Sequence, residues 1–377
     1  MAKLRVLFVV HGLWRGGAET QLVKLVNNLP AEQFDKSVFS YRAGDDLNED
    51  ISSDVEVFKY RRRGRLDLNV GKEIGRIIDK REIDIVHCTM RNALLFAYMG
   101  IGFSKRKPKL IAAVHSTKNV NAMVGVMNRL VYRPIMKRCS RVWFVSSTQA
   151  EQWIRRMPFL AEKAVIIHNG IDLNEFDPEC FRADGQALRE SLGIGDDEFV
   201  LCSIAGFRPV KLHSVLIDAL SRVVQEGYSC RLLLAGTGTL EMALREQVNT
   251  LGLGSSVQFL GMMPDVRPVL AASDCKLLVS EAETLSMAML EAMAMQVPVI
   301  TTTVGGASEA ITNGVNGVLV QPHDVDQLAG RIKEVLGDEA RRVTMGEAAR
   351  DAVVNRFNVI KMTADSATSL HTVMVHE

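Results

Sequence analysis

Ser280-Glu-Ala-Glu283-Thr-Leu-Ser-Met-Ala-Met-Leu-Glu291-Ala-Met-Ala-Met-Gln-Val-Pro298 lies between two short apolar runs, Cys275-Lys-Leu-Leu-Val279 and Val297-Pro-Val-Ile300. Runs this short and this apolar read as strands buried on both faces. The spacing between them predicts a helix over Ser286 to Met295, with Met287, Met289, Met293 and Met295 in the core. Strand, helix, strand is the unit of a parallel sheet. Glu283 and Glu291 are eight residues apart, about 12 Å if the path is helical throughout. A glycosidase carboxylate pair sits at about 5 to 9.5 Å, so this pair suits the two ends of an extended ligand. Glu291 lies among Leu290, Ala292, Met293 and Ala294, an unusual setting for a charge that merely faces solvent.

Outward from this unit the same alternation fills the chain. Strands are expected at Leu4 to Val10, Asp84 to His87, Lys109 to Val114, Arg141 to Ser146 and Ala164 to His168. A second series is expected at Phe199 to Ala205, Arg231 to Ala235 and Val257 to Leu260. Helical patterns separate them, including Ala18 to Leu29, His213 to Glu226, Leu240 to Leu251 and Val325 to Leu336. This predicts an α/β chain of two doubly wound domains, with Asn169 to Gln186 as linker and a cleft lined by loops at the strand C-terminal ends.

With 377 residues, 47% of them hydrophobic, the chain can bury two such cores, and disordered, collagen-like and disulfide-stapled classes are excluded. No apolar run is long enough for a spanning helix. The start, Met1-Ala-Lys-Leu-Arg, runs directly into strand-like sequence and is expected to be a cytoplasmic N-terminus. The six cysteines are scattered without a C-x-x-C pair and are expected to be reduced packing residues. There is no H-E-x-x-H, no D-x-D pair and no Gly-x-Ser-x-Gly, so metal-hydrolase and serine-hydrolase chemistry lack support. Charge is uneven: residues 1–180 hold 29 Lys+Arg against 20 Asp+Glu, and residues 181–377 hold 16 against 24. The basic half is either a solvated face or a surface for an anionic partner.

Two loops join strands to helices in ways that suit phosphate. Gly16 and Gly17 let backbone approach a ligand beside a helix N-terminus, although glycine as a plain turn former explains them equally. Arg208 and Lys211, after the first strand of the second half, offer a planar fork and a point charge. Gly236-Thr-Gly238 lacks the third glycine of a dinucleotide fingerprint. His115 ends a strand at the expected cleft edge, before Ser116-Thr117, and His87, His168 and His213 also fall at strand ends or helix starts.

The ordered set of motifs resembles the retaining glycosyltransferases of family 4, with the GT-B fold, over nearly the whole chain. It comprises Gly16-Gly-Ala-Glu19, Val145-Ser-Ser147, His168-Asn-Gly-Ile-Asp172 with Phe176, Arg208 with Lys211, and Phe259-Leu-Gly261. It continues with Glu283-x7-Glu291, Pro298-Val-Ile300, Gly305-Gly306 with Glu309, and Gly314-x-x-Gly317. Leu212 and Gln296 stand where that family often has glycine, and His168 where it often has proline.

The resemblance implies two Rossmann-like domains facing across a cleft. Residues 1–173 would bind acceptor, 174–356 would bind a nucleotide sugar, and 357–377 would form a helix crossing back to the first domain. It implies that Glu291 binds the nucleotide ribose, Glu283 lies near the transferred sugar, and Arg208 and Lys211 clamp the diphosphate with backbone help from Gly16 and Gly17. The N–H groups of Leu285 and Ser286 would face the sugar, and His115 would stand beside it. The implied reaction is transfer with retention, without a metal or other cofactor, from a UDP- or GDP-linked sugar to a glycan or lipid-linked acceptor in polysaccharide, lipopolysaccharide or glycolipid biosynthesis. An epimerase, a phosphorylase or a non-catalytic sugar-nucleotide module on the same architecture are the alternatives.

Basic clusters at Arg61-Arg-Arg63 with Arg65, at Lys105-Arg-Lys107 with Lys109, and at Arg129, Arg133, Lys137 and Arg138 alternate with apolar residues. Met123, Val126, Met127, Leu130 and Val131 would form an apolar helix face there. These clusters predict a peripheral contact with an anionic membrane surface at the inner face of the cytoplasmic membrane. No nucleic-acid partner is expected.

Overall fold

The computed structural model describes residues 3–64, 67–89, 91–115, 127–195 and 197–375. The chain divides into two compact units, Met1–Gly170 with Val359–Glu377, and Ile171–Asn358.

The first unit is a seven-stranded parallel sheet. Its strands are β1 (Leu4–Val10), β2 (Phe34–Ser40), β3 (Val55–Lys59), β4 (Ile85–Thr89), β5 (Lys109–Val114), β6 (Arg141–Phe144) and β7 (Ala164–Ile166), in the order β3-β2-β1-β4-β5-β6-β7. Its helices are α1 (Gly17–Asn28), α2 (Leu68–Lys80), α3 (Arg91–Phe103), α4 (Arg133–Arg138) and α5 (Ser147–Arg156). The apolar run of β1, residues 6–10, has its cause in two cores. Leu7 and Val9 enter one, with Phe39, Ile74 and Phe96, while Val6, Phe8 and Val10 enter the other, with Leu22, Leu25 and Val26. A strand covered on both faces has no polar side to show.

The second unit repeats the design with six parallel strands. These are β8 (Phe199–Ile204), β9 (Cys230–Ala235), β10 (Val257–Gly261), β11 (Cys275–Leu278), β12 (Val299–Thr302) and β13 (Val318–Val320), in the order β10-β9-β8-β11-β12-β13. Its helices are α6 (Pro178–Ser191), α7 (His213–Gln225), α8 (Glu241–Thr250), α9 (Arg267–Ala271), α10 (Met287–Ala294), α11 (Ala307–Ala310), α12 (Val325–Leu336) and α13 (Glu339–Arg356). The last helix, α14 (Val359–Val375), belongs to the first unit. There Met362, Leu370 and Val373 complete the core beside α1, and Trp143 Nε1 donates to Ser369 Oγ at 2.9 Å.

Strand order reverses between β1 and β4 in one sheet and between β8 and β11 in the other. Ligands of open parallel sheets bind outside the strand C-terminal ends at such switch points. The loops after β8 and β11 carry Arg208, Lys211 and Glu283.

Two expectations need correction and a third is refined. The stretch Asn169 to Gln186 is not all linker: Asp177 caps α6, with Pro178 at its first turn, and Gly185 lies so close to α9 that a Cβ would stand 2.6 Å from the Ala271 carbonyl carbon. The helix expected over Ser286 to Met295 is present as α10 with Ser286 as its cap, so the path from Glu283 to Glu291 is only partly helical. Five cysteines are buried as expected, but Cys180 is exposed on α6.

Two buried histidines make the fold acid-sensitive. His87 stacks between Phe8 and Trp143 at 5.2 and 4.7 Å, and His213 meets Phe207 edge-on at 5.0 Å. Neither ring has a hydrogen-bond partner among the described residues. Burial pushes His87 down to about 3 and His213 down to about 4. The unfolded chain protonates these groups near pH ~6.5. Stability is therefore full above that pH and falls as the pH drops toward 4. At pH 5 each ring should cost about 2 kcal/mol. Denaturant titrations at pH 7.5 and 5 check this. In His87→Leu the first unit's transition should weaken less on acidification than in the native protein, and an unaltered acid loss would mean that His87 is charged in the fold.

Candidate active site

The loop after β8 is held by backbone. Ala205 N–H donates to Ala235 O at 3.0 Å, Phe207 N–H to Thr237 O at 2.9 Å, and Leu240 N–H to Phe207 O at 3.2 Å. A Cβ at Gly236 would lie 2.2 Å from Ala205 O, and one at Gly238 would lie 2.4 Å from Phe207 O. Gly236-Thr-Gly238 is thus a buttress for residues 205–207, a role its sequence does not reveal. Phe207 is fully buried and pins the loop from below. Arg208 is thereby left exposed at the strand end: its backbone N–H donates to Gly206 O at 2.8 Å, while its guanidinium has no hydrogen bond or ion pair among the described residues.

Pro209–Lys211 forms one 3-10 turn, and Leu212 then turns left-handed at φ +41° to enter α7. Gln296 is also left-handed, at φ +58°. These are the two positions where the resembled family often has glycine. The backbone keeps the glycine-like geometry and bears a strain of about 1 kcal/mol or more at each.

The loop after β11 meets the same turn. Glu281 N–H donates to Val210 O at 2.8 Å. Ser280 is fixed from both ends: its N–H donates to Thr302 Oγ1 at 3.0 Å, and its carbonyl accepts from that hydroxyl at 2.7 Å. Its own Oγ donates to Glu283 Oε1 at 2.8 Å. Lys211 Nζ makes a short ion pair with the same carboxylate oxygen, with both side chains largely buried. Lys211 and Glu283, placed by sequence on a diphosphate and near a sugar, therefore neutralise each other in this structure. Leu285 is buried, and Ser286 caps α10 by accepting from Met289 N–H at 3.4 Å. Met289, Met293 and Met295 are buried, while Glu291 of the same helix remains partly exposed.

Gly305 and Gly306 set this loop. Gly306 N–H donates to Thr284 O, and Gly305 sits at φ +56°, where a Cβ would come within 2.2 Å of Glu283 O. Backbone cannot yield as a flexible side chain can. Gly305→Ala should displace Glu283 and Thr284 and cost about 1–3 kcal/mol of stability. Any nucleotide affinity should fall with it. A variant with native melting temperature and native nucleotide affinity would show that the loop tolerates the shift.

The first unit holds its own cluster at its strand ends. Gly16 precedes α1, and a Cβ there would lie 2.5 Å from Glu19 Oε2. Glu19 is buried, 3.7 Å from His11 Nδ1, and burial raises its carboxyl. Gly17 opens the helix and is exposed. His115 follows β5 and lines a cavity of about 40 Å3 with His87, Thr89, Trp143 and His168. Burial lowers His115 to about 4, so it is neutral at pH 7. Ser116 and Thr117 lie outside the described residues.

The apolar helix face expected near residue 127 is only partly described. Met123 and Val126 lie outside the described residues, Met127 and Leu130 are exposed, and Val131 packs against the core instead. Lys137 and Arg138 lie over the Phe159 and Tyr98 rings, at 5.5 and 5.8 Å.

Two family models cover most of the chain: Glycosyltransferase Family 4 over residues 15–175 and Glycosyl transferases group 1 over residues 184–352. The chain is 29% identical to N-acetyl-alpha-D-glucosaminyl L-malate synthase of Bacillus anthracis, over 82% of this chain and 80% of that one. It is 24% identical, over 88% of each chain, to the UDP-Gal:alpha-D-GlcNAc-diphosphoundecaprenol alpha-1,3-galactosyltransferase of Escherichia coli. Among solved structures, Anabaena HepE in complex with UDP-glucose superposes with a TM-score of 0.84 at 25% identity, covering 98% of this chain and 100% of that one.

Proposed function

Because the chain belongs to the group 1, family 4 glycosyltransferases, we propose that it moves a sugar from a UDP- or GDP-linked donor to a glycan or lipid-linked acceptor, with retention and without a metal. The observation that carries this reading is the pairing at the β8/β11 switch point. Arg208, whose exposed guanidinium has no partner among the described residues, stands three residues from Lys211, whose only ion-pair partner among them is Glu283. A nucleoside diphosphate arriving there meets one unpaired cation at once and draws the second from Glu283.

As the bond to the sugar breaks, negative charge grows on the leaving diphosphate. Arg208 and Lys211 offset it without a metal, and a preorganised donor of this kind contributes about 3 kcal/mol. Glu283, released from Lys211, is then free to accept from sugar hydroxyls. Glu291 holds the ribose diol. Leu285 and Ser286 at the start of α10 are assigned to the sugar, and Gly17 to the phosphates together with Gly16, whose N–H donates to Trp14 O at 2.8 Å in this structure. His115, neutral at pH 7, accepts or donates one hydrogen bond beside the sugar. The acceptor attacks on the leaving-group face, which retains the anomeric configuration.

The E. coli relative's name pairs UDP-galactose with a diphosphoundecaprenol glycan, which supports a lipid-linked acceptor at the cytoplasmic membrane. The basic first unit favours that location. No helix among the described residues is long and apolar enough to cross a membrane, so contact would be peripheral.

A panel of UDP- and GDP-sugars, offered with soluble and polyprenyl-linked glycans in anionic vesicles and with EDTA present, tests the reading. Product with the donor's anomeric configuration supports it. Epimerised donor, phosphate-dependent sugar release, or binding without turnover would point respectively to an epimerase, a phosphorylase or a binding module. Failure to co-sediment with anionic vesicles at low salt would remove the membrane part.

A further inference from the structure

Among the described residues two lysines are fully buried, and they are treated differently. Lys36 of β2 donates to Leu29 O at 3.0 Å and pairs with Asp54 at 2.7 Å. Lys276 of β11 has no exposed surface, and its Nζ has no hydrogen-bond partner among the described residues. Its neighbours Cys275 and Leu277 enter the core with Leu216, Leu220 and Ile332, so by strand alternation Lys276 stands on the opposite face of the sheet. Cys202 of β8 and Val299 of β12 are its partners in register. Among the titratable and charged groups that act on it, Cys202 and Glu291 of α10 favour its charged form and Lys211 opposes it.

An ammonium without a hydrogen-bond acceptor in such a place costs several kcal/mol, more than the field of Glu291 offsets, and it either loses its proton or draws on further negative charge. Burial lowers the Lys276 ammonium accordingly. Two of the groups whose fields reach it, Lys211 and Glu291, are those assigned above to the donor. We propose that Lys276 is a further donor-site residue, a buried cation completed by the negative charge of the bound nucleotide, so that donor binding and protonation of Lys276 are one coupled event. This rests on the donor reading of the same loops.

The sign follows from linkage. A diphosphate nearby favours the charged lysine, so nucleotide binding takes up a proton, and affinity falls as the pH rises. The same residue should weaken the fold, since an apolar side chain would suit its place better. Lys276→Met is then expected to raise the melting temperature while losing nucleotide affinity, an exchange of stability for function.

Calorimetric titration of the full-length protein with UDP, and with GDP, between pH 7.5 and 9 in two buffers of different ionisation enthalpy reads the coupling directly. A terminal phosphate titrates near pH ~6 and stays silent in this window. The native protein should take up a fraction of a proton per nucleotide. Lys276→Met and Lys276→Leu should take up none, bind at least about tenfold more weakly, and melt no lower than the native protein. Nucleotide binding without proton uptake by the native protein, or uptake and affinity unchanged in both variants, would overturn the proposal and leave the donor reading standing. Absence of UDP and GDP binding to the native protein would overturn both.

Discussion

Arg208→Ala should lower kcat by about 10²–10³-fold and leave the melting temperature unchanged. The first number is the usual loss when one preorganised donor is removed from developing negative charge. The second follows from the structure: the Arg208 side chain is exposed and its guanidinium makes no hydrogen bond or ion pair among the described residues, so the fold does not depend on it. Lys211→Ala should lower kcat by a similar factor, with a different stability signature. It strips the largely buried Glu283 carboxylate of its ion-pair partner and leaves only the Ser280 hydroxyl on it. A modest fall in melting temperature should accompany the loss of activity, since a paired carboxylate becomes a poorly compensated one. The two effects should not add, because both cations act on one leaving group. Near-normal transfer by both variants at saturating donor would refute the clamp.

Glu291→Ala should act on affinity instead. Two hydrogen bonds from a ribose diol to one carboxylate are charge-assisted, and losing them should cost about 3 kcal/mol, or about 10²-fold in nucleotide Kd. Glu291 is partly exposed on a helix whose Met289, Leu290 and Met293 carry the core contacts, so the fold should survive the change. Glu291→Gln should fall between the two, because it keeps one acceptor and loses the charge. Unchanged nucleotide affinity by calorimetry would remove Glu291 from the ribose.

The sequence was most readable where burial is two-sided. β5, β8 and β11 are apolar because both faces are covered, and their runs mark them within a residue or two, whereas β13, three residues long, is too short to stand out. β2 and β3 went unnoticed because Asp35, Lys36, Glu56 and Lys59 break the pattern. Lys36 belongs there only because Asp54 and the Leu29 carbonyl neutralise it, a tertiary fact with no local sequence signal. Within the site, the charged residues could be picked out by type and spacing, but the supports could not. Gly236 and Gly238 read as half a cofactor motif and turn out to buttress the Arg208 loop. Leu212 and Gln296 read as departures, yet their backbones hold the left-handed turn. The pairing of Lys211 with Glu283 joins residues 72 apart, beyond any periodicity. Lys276 sits inside an apolar run and reads as a strand residue, and only its burial without a partner sets it apart.

The central claim is that the nucleotide sits on the strand ends of the second unit, over Arg208, Lys211, Glu283 and Glu291. Hydrogen exchange of the full chain, with and without saturating UDP or GDP, tests this most directly. Slowed exchange should be concentrated in residues 205–212, 236–240, 280–291 and 305–307. Nucleotide binding that leaves those four segments exchanging at their free rates would contradict it.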